Sequence, residues 1–161
     1  MSHADTIIRL YAALDSLDGE GMAACYAPNA RFEDPVFGVL TGPRVVGMWR
    51  MLTGASNGID AEVTDVTFDR DRASANWTAR YVFGASGRNV VNRGVARYRF
   101  DGELIIDHVD SFSFHRWARQ ALGPVGLVLG WTPFLRNRVR SGALKNLDRF
   151  LADRPGLSTV E

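Results

Sequence analysis

Apolar residues recur every three or four positions in the first part of the chain, a spacing typical of amphipathic helices. Between residues 4 and 17 this pattern predicts a first helix. The segment GMAACYAP predicts a short second helix that stops before Pro28, because proline disfavours a continuing helix. Gly42-Pro43 begins a third helix that runs to about Thr53, since proline suits the first helical turn. The apolar stripe of the first helix comprises Ile7, Ile8, Leu10, Tyr11, Leu14 and Leu17.

Alternating polar and apolar positions predict strands, first in the short segment ARFED at 30–34 and then from Ile59 onward. Helices followed by a strand meander predict an α+β fold. The four long strands are expected at 59–69, 73–84, 89–101 and 103–114. Because alternate side chains share a face, the predicted inward sets are Ala73, Ala75, Trp77, Ala79, Tyr81 and Phe83 on the second long strand and Asn92, Gly94, Ala96, Tyr98 and Phe100 on the third.

The last predicted strand carries two titratable side chains on an otherwise apolar face. By alternation His108 and Asp110 share that face with Ile106, Phe112 and Phe114. Burying a histidine and a carboxylate among aromatic side chains costs stability, which favours a functional pair. The alternative is a core histidine bonded to a backbone carbonyl, with the aspartate fixing its tautomer.

Two further polar side chains are expected on the inside. Asp34 shares the inward face of its strand with Phe32, although an aspartate before Pro35 also favours a turn. Tyr11 lies on the helix face that must pack against the sheet, so it either fills the core or supplies a catalytic hydroxyl. Both interpretations stay open for each residue.

The composition is that of one domain without a membrane span. At 161 residues and 46% apolar content, the chain can fill one core. No apolar run approaches the roughly 20 residues that a membrane-spanning helix needs, and the N-terminal segment is unlike a signal peptide. We therefore expect a cytoplasmic protein. Cys25 is the only cysteine, which excludes an intramolecular disulfide and a thiolate metal cluster.

Positive charge is concentrated near the end of the chain. The net charge is +1, but residues 115–161 carry 8 Arg and Lys against 3 Asp and Glu, whereas residues 1–114 carry 11 against 15. Basic residues do not interleave with aromatic ones as in RNA-binding proteins, so we expect no nucleic-acid partner. His108 is the only histidine in the predicted pocket, and the sequence has no phosphate-binding loop and no nucleophile elbow. We expect neither a metal nor a cofactor.

Two segments carry a family resemblance, LYAALDSLDGEGMAACYAPNARFEDPVFG and IIDHVDSF. With the order of elements, they resemble the nuclear transport factor two-like superfamily, in particular its SnoaL-like and ketosteroid isomerase-like branches, over residues 4–114. The resemblance implies a strongly curved, mostly antiparallel sheet wrapped around the N-terminal helices, a cone known as the cystatin-like roll. It implies a cone domain at 1–114, to which a helical extension at 115–154 and a flexible tail at 155–161 are added.

The resemblance also implies roles for the inward polar residues. In the isomerase a tyrosine of the first helix and a protonated aspartic acid bind the oxyanion while a second aspartate moves the proton. Tyr11 matches the tyrosine and Asp34 matches the proton-moving aspartate, but Ala96 occupies the position of the oxyanion-binding acid. His108 and Asp110 match the His-any-Asp pair of SnoaL-like cyclases.

Two functions fit these expectations. The first is a cofactor-free acid-base enzyme, such as an isomerase, cyclase, dehydratase or epoxide hydrolase, acting on an apolar polyketide-like or steroid-like compound. Its expected catalytic residues are Asp34, Tyr11, His108 and Asp110. The second is a non-catalytic domain that binds a hydrophobic ligand or mediates dimerisation. The residues expected to contact the small hydrophobic molecule are Phe32, Trp49, Trp77, Tyr81, Tyr98 and Phe112.

Surfaces outside the pocket suggest further contacts. The helix predicted after Pro133 is amphipathic and basic, so it can cover the mouth of the cone as a lid, lie on an anionic surface, or pack on the back of the sheet. We favour the lid, because the apolar run before it needs burial. Valines beside arginines on the outer sheet face predict a symmetric homodimer through Val82, Val91, Val95 and Val109.

Overall fold

The computed structural model describes residues 2–157, in which six α-helices accompany a six-stranded sheet. The helices are α1 (His3–Asp15), α2 (Gly19–Ala23), α3 (Pro43–Ala55), α4 (Phe114–Leu122), α5 (Pro124–Leu129) and α6 (Pro133–Ala152). The strands are β1 (Tyr26–Asp34), β2 (Gly38–Thr41), β3 (Ile59–Asp69), β4 (Arg72–Phe83), β5 (Arg88–Asp101) and β6 (Leu104–Ser111).

The strands form one curved, unclosed sheet in the order β2-β1-β6-β5-β4-β3. Every neighbouring pair is antiparallel except β1 and β6, which are parallel. The first strand, β1, precedes the meander β3-β4-β5-β6 in the chain, and the last strand of that meander, β6, pairs with β1. Residues of the first and last strands are therefore neighbours in the sheet. The α+β class and the curved, mostly antiparallel sheet are confirmed.

Alternation predicted the faces of β4 and β5 correctly but failed at one position of β6. Phe100 pairs with Ile105, whereas Arg99 pairs with Asp107, so Ile106 is an extra residue in a β-bulge. The bulge changes the alternation, and Ile105 is the fully buried side chain in place of Ile106. The strand also ends earlier than predicted, so Phe112 follows β6 and Phe114 begins α4.

The region around Pro28 was predicted wrongly. The second helix ends at Ala23, and Tyr26 begins β1, so Pro28 lies inside a strand. The register of β1 against β6 shifts between Tyr26 and Arg31, and the proline falls in this irregular stretch, where it removes no regular ladder bond. The sequence prediction also missed β2, which forms a hairpin with β1 around the Asp34 turn.

The C-terminal helices pack on the same body as the sheet. Leu147 of α6 is fully buried in the main core, and Leu135 joins a second core cluster with Phe114 and Trp117 of α4. By contrast, the apolar run before α6 is exposed, so the burial expected for it is wrong. Of the predicted tail, Pro155–Leu157 forms a 3-10 turn and the remainder lies outside the described residues. Within residues 2–157 no helix is long and apolar enough to cross a membrane.

Candidate active site

A cavity of about 1030 Å³ lies between the inner face of the sheet and helices α1, α3 and α6. Its lining is mainly apolar. All four predicted catalytic residues line it: Tyr11, Asp34, His108 and Asp110. Of the six residues predicted to contact a ligand, five also line it: Phe32, Trp49, Trp77, Tyr81 and Phe112.

Asp34 ends β1 and combines the two roles left open by the sequence. Its Oδ1 accepts hydrogen bonds from the backbone N–H groups of Val36 at 2.9 Å and Phe37 at 2.6 Å, which forms the turn into β2. No hydrogen bond to its Oδ2 is formed within residues 2–157, and Asp34 is one of the residues that line the cavity. The pKa of Asp34 is raised to about 7, chiefly by burial and also by the negative charge of Asp110, while the two backbone bonds act in the opposite direction. Near neutral pH this carboxyl group therefore takes up and releases protons.

A chain of side-chain hydrogen bonds ends on Asp110. Trp49 Nε1 donates to the Tyr26 hydroxyl at 3.0 Å, and this hydroxyl lies 2.8 Å from His108 Nδ1. His108 Nε2 lies 2.9 Å from Asp110 Oδ1, which also accepts from Trp77 Nε1 at 3.0 Å. The rings of Trp49 and Tyr98 pack against His108, and only 2% of it is exposed.

Both ring nitrogens of His108 have hydrogen-bond partners in this chain. Burial raises the pKa of Tyr26 well above its usual value, so its hydroxyl keeps its proton. The Tyr26 oxygen accepts from Trp49 and still has its own proton, which can be donated to His108 Nδ1, while His108 Nε2 donates to the Asp110 carboxylate. Both ring nitrogens are then occupied, while Asp110 Oδ2 has no partner among the described residues. The histidine thus orients the carboxylate that faces the cavity.

Tyr11 and Tyr98 form a second polar pair. Their hydroxyl oxygens are 2.8 Å apart, and burial raises the pKa of both above the usual tyrosine value. Tyr98 does not line the main cavity, so the predicted ligand contact is wrong for this residue, which is 3% exposed. Ala96, which occupies the position of the missing acid, pairs directly with Asp110 on β6. The carboxylate of Asp110 therefore lies on the strand next to the position of the missing acid.

The family model of the SnoaL-like domain matches residues 7–108, which is more than half of the chain. The chain belongs to the SnoaL-like family. A search of curated proteins finds no match to the sequence.

Solved structures with the same fold are numerous. A Catenulispora acidiphila protein with a ketosteroid isomerase-like fold, in complex with trimethylamine, has a TM-score of 0.67 and 16% identity over 80% of this chain and 97% of its own. A Silicibacter protein named as a candidate polyketide cyclase has a TM-score of 0.62 and 19% identity, over 73% of this chain and 93% of its own. A Jannaschia protein named as a candidate SnoaL-like polyketide cyclase has a TM-score of 0.65 and 14% identity, over 76% of this chain and 92% of its own. At these identities the likeness establishes the fold alone.

Two residues of this SnoaL-like site were not predicted. Tyr26 was assigned to a helix, although its aromatic side chain at the start of β1 could have been placed inward. Asn92 was placed on the inward face but not singled out, and the structure shows its side chain 6% exposed at the cavity wall. A buried amide on an apolar face was the available signal for Asn92. The described residues contain no cluster of three or more His, Cys, Asp or Glu side chains arranged to hold a metal ion.

Proposed function

We propose that this protein is a cytoplasmic, cofactor-free acid-base enzyme that isomerises or cyclises an apolar, carbonyl-containing compound of polyketide-like or steroid-like character. The observation that carries the proposal is the Asp34 carboxyl group, which has a pKa of about 7 and a free oxygen at the wall of a large apolar cavity. A general base is most effective when its pKa is near the working pH. The polyketide cyclase names of neighbouring structures agree with this substrate class.

In the proposed reaction Asp34 removes a proton from the carbon next to a carbonyl group. The electron pair of that C–H bond moves to the carbonyl oxygen and leaves an enolate. Tyr11 donates a hydrogen bond to that oxygen, because its raised pKa keeps it protonated and Tyr98 can donate to the Tyr11 oxygen. Asp34 then returns the proton to a different carbon, which isomerises the compound. Alternatively, the enolate carbon attacks a second carbonyl and closes a ring, and Asp34 gives its proton to the alkoxide oxygen formed at that carbonyl.

His108 and Asp110 have separate roles in this proposal. His108 has no free ring nitrogen, so it positions Asp110 and does not exchange protons with the ligand. The carboxylate of Asp110 keeps a negative charge near Asp34, which favours the protonated form of Asp34 and strengthens it as a base. Asp110, positioned by His108 on the same strand β6, therefore raises the pKa of the general base, Asp34, on the neighbouring strand β1.

Hydrogen-deuterium exchange at carbon tests the function and does not require that the product be identified. The protein is incubated in D₂O with a panel of apolar cyclic ketones and β-dicarbonyl compounds, and deuterium uptake is followed by mass spectrometry. We expect catalysed exchange that increases with pH through about 7, because the base works in its ionised form. Compounds that bind in the cavity but exchange only at the buffer rate would contradict the proposal.

A binding function is the second candidate, favoured by one observation. Both ring nitrogens of His108 have partners within the protein, and the Tyr11 hydroxyl is bonded to that of Tyr98, as expected of a pocket that only holds a ligand. In that case the same panel would give tight binding, no exchange, and equal affinity in wild type and Asp34→Asn at pH 8.

We also propose that two copies pair through the outer face of the sheet. Val91 is 37% exposed there, beside the partly exposed Val95 and Val109. A symmetric dimer would cover these side chains. Val82, the fourth valine predicted on this face, is 53% exposed but is also one of the residues that line the cavity. We expect sedimentation velocity at micromolar concentration to give a dimer that Val91→Arg converts to a monomer, whereas Ile8→Arg, at an exposed position of α1, leaves it dimeric. A monomeric wild type would contradict the pairing.

A further inference from the structure

The segment from α5 to the start of α6 has the reverse of the usual burial pattern. Its glycines Gly123, Gly126 and Gly130 are buried, while its large apolar side chains face outward. We name these outward residues the apolar tip; they are Val125, Leu127, Val128, Leu129, Trp131 and Phe134, with exposed fractions from 37% for Leu129 to 71% for Trp131. A concentration of exposed apolar side chains in ten residues indicates an interaction surface.

Close packing holds the apolar tip in this orientation. A Cβ atom on Gly126 would lie 1.8 Å from the Ala118 carbonyl oxygen, so only glycine permits this approach of α5 to α4. His115 Nε2 lies 3.2 Å from the Leu127 carbonyl oxygen, and the Thr132 side chain caps α6. With its glycine face against α4, α5 cannot turn its apolar side chains into the core. The exposure is thus a consequence of the packing.

The segment of the chain that contains the apolar tip is strongly positive. Residues 111–147 contain no Asp or Glu. In the same segment Arg116 and Arg119 of α4 and Arg136 and Arg138 of α6 are exposed. The six cationic residues of this segment are Arg116, Arg119, Arg136, Arg138, Arg140 and Lys145.

We propose that the apolar tip docks on an anionic lipid bilayer. An apolar surface with tryptophan and phenylalanine, bordered by arginines, matches the bilayer interface, where aromatic side chains enter the headgroup region and cations meet anionic headgroups. A second copy of the chain fits less well, because symmetric pairing would place cations against cations. Nucleic acid would pair with the arginines but leave the apolar side chains in water.

The position of the apolar tip gives the docking a consequence for the pocket. Val125 belongs to the apolar tip and also lines the cavity. Close to the tip in sequence, Leu135 and Arg138 on the first turns of α6 line the cavity as well. A docked protein would therefore place one wall of its cavity near the bilayer, from which an apolar ligand could enter with little exposure to water. The docking itself does not depend on whether the pocket is catalytic.

Vesicle co-sedimentation of the full chain tests the proposal. We expect binding to vesicles of phosphatidylcholine with phosphatidylglycerol, and binding at least roughly tenfold weaker to pure phosphatidylcholine, because each cation near an anionic surface adds attraction. Trp49 and Trp117 are buried, and Trp77 is partly buried, so brominated lipids should quench chiefly the exposed Trp131. Trp131→Phe should remove most of the quenching and keep the binding.

A double variant separates the apolar tip from other surfaces. Trp131→Ser with Phe134→Ser should weaken binding to anionic vesicles by roughly tenfold or more, since both side chains lose their apolar contact with lipid. Ile8→Ser, at a 62% exposed position of α1, should bind like wild type. The proposal is overturned if wild type does not bind anionic vesicles, or if the double variant binds equally well. It is also overturned if the double variant changes a dimer into a monomer, because the tip would then cover a second copy.

Discussion

Replacing Asp34 with asparagine is expected to lower kcat/KM of the exchange reaction by at least roughly 100-fold, the usual loss when a general base is removed. The asparagine side-chain oxygen can still accept the backbone bonds of Val36 and Phe37, so the turn should persist. Asp107→Asn is the matched control, because this aspartate pairs with Arg31 away from the cavity. Activity of Asp34→Asn within tenfold of wild type would remove Asp34 from the mechanism.

The same variant should change stability in a pH-dependent way. The folded-state pKa of Asp34 is raised from 3.8 to about 7, so its proton stabilises the folded state below about pH 4, and this contribution is lost as the pH rises through about 7. Asparagine is neutral throughout, so Asp34→Asn should gain stability relative to wild type at pH 8 but not at pH 4. The gain is at most about 4 kcal/mol, at 1.36 kcal/mol per pKa unit. Chemical denaturation at the two pH values measures it.

Leu147→Ala is expected to lower the free energy of unfolding by about 2 to 5 kcal/mol, the usual cost of removing a fully buried leucine side chain. Leu147 is fully buried in the main core, and its Cδ1 lies 3.7 Å from the position of a Cβ on Gly47 of α3. We propose that residues 115–154 fold with the cone as one domain. The loss should therefore appear in a single unfolding transition.

Leu127→Ala provides the control for that experiment. This leucine is of the same type but 54% exposed, so its replacement should change stability by less than about 0.5 kcal/mol. If Leu147→Ala has an equally small effect, or if it unfolds α6 in a separate transition, the helical extension does not share the core of the cone. Increased binding of a hydrophobic dye by Leu147→Ala would agree with a cavity that has lost its α6 wall.

The fold could be predicted where local pattern determines structure. The long strands β4 and β5 alternate regularly, so their inward faces, including Trp77 and Asn92, follow from the sequence. A bulge shifts alternation by one residue without a clear sequence signal, so the burial of Ile105 could not be foreseen. The four-residue strand β2 is stabilised by its partner β1, which local propensity does not reveal.

The site could be predicted only in part, for a related reason. Asp34, His108 and Asp110 were found because each follows the alternation of its own strand. The bond between Tyr26 and His108 joins residues 82 positions apart, through a parallel pairing that no local pattern indicates. The contribution of α6 to the cavity wall likewise depends on tertiary packing against α3.

The central claim is that the cavity holds a carboxyl group poised for proton transfer near neutral pH. NMR titration of the Asp34 carboxyl carbon, in protein labelled at aspartate and assigned with Asp34→Asn, measures this directly and needs no substrate. The structure predicts a midpoint near 7, because burial and the charge of Asp110 both disfavour the ionised form. A midpoint near 4, the value of an exposed aspartate, would show that the group is ionised throughout the physiological range and would contradict the account.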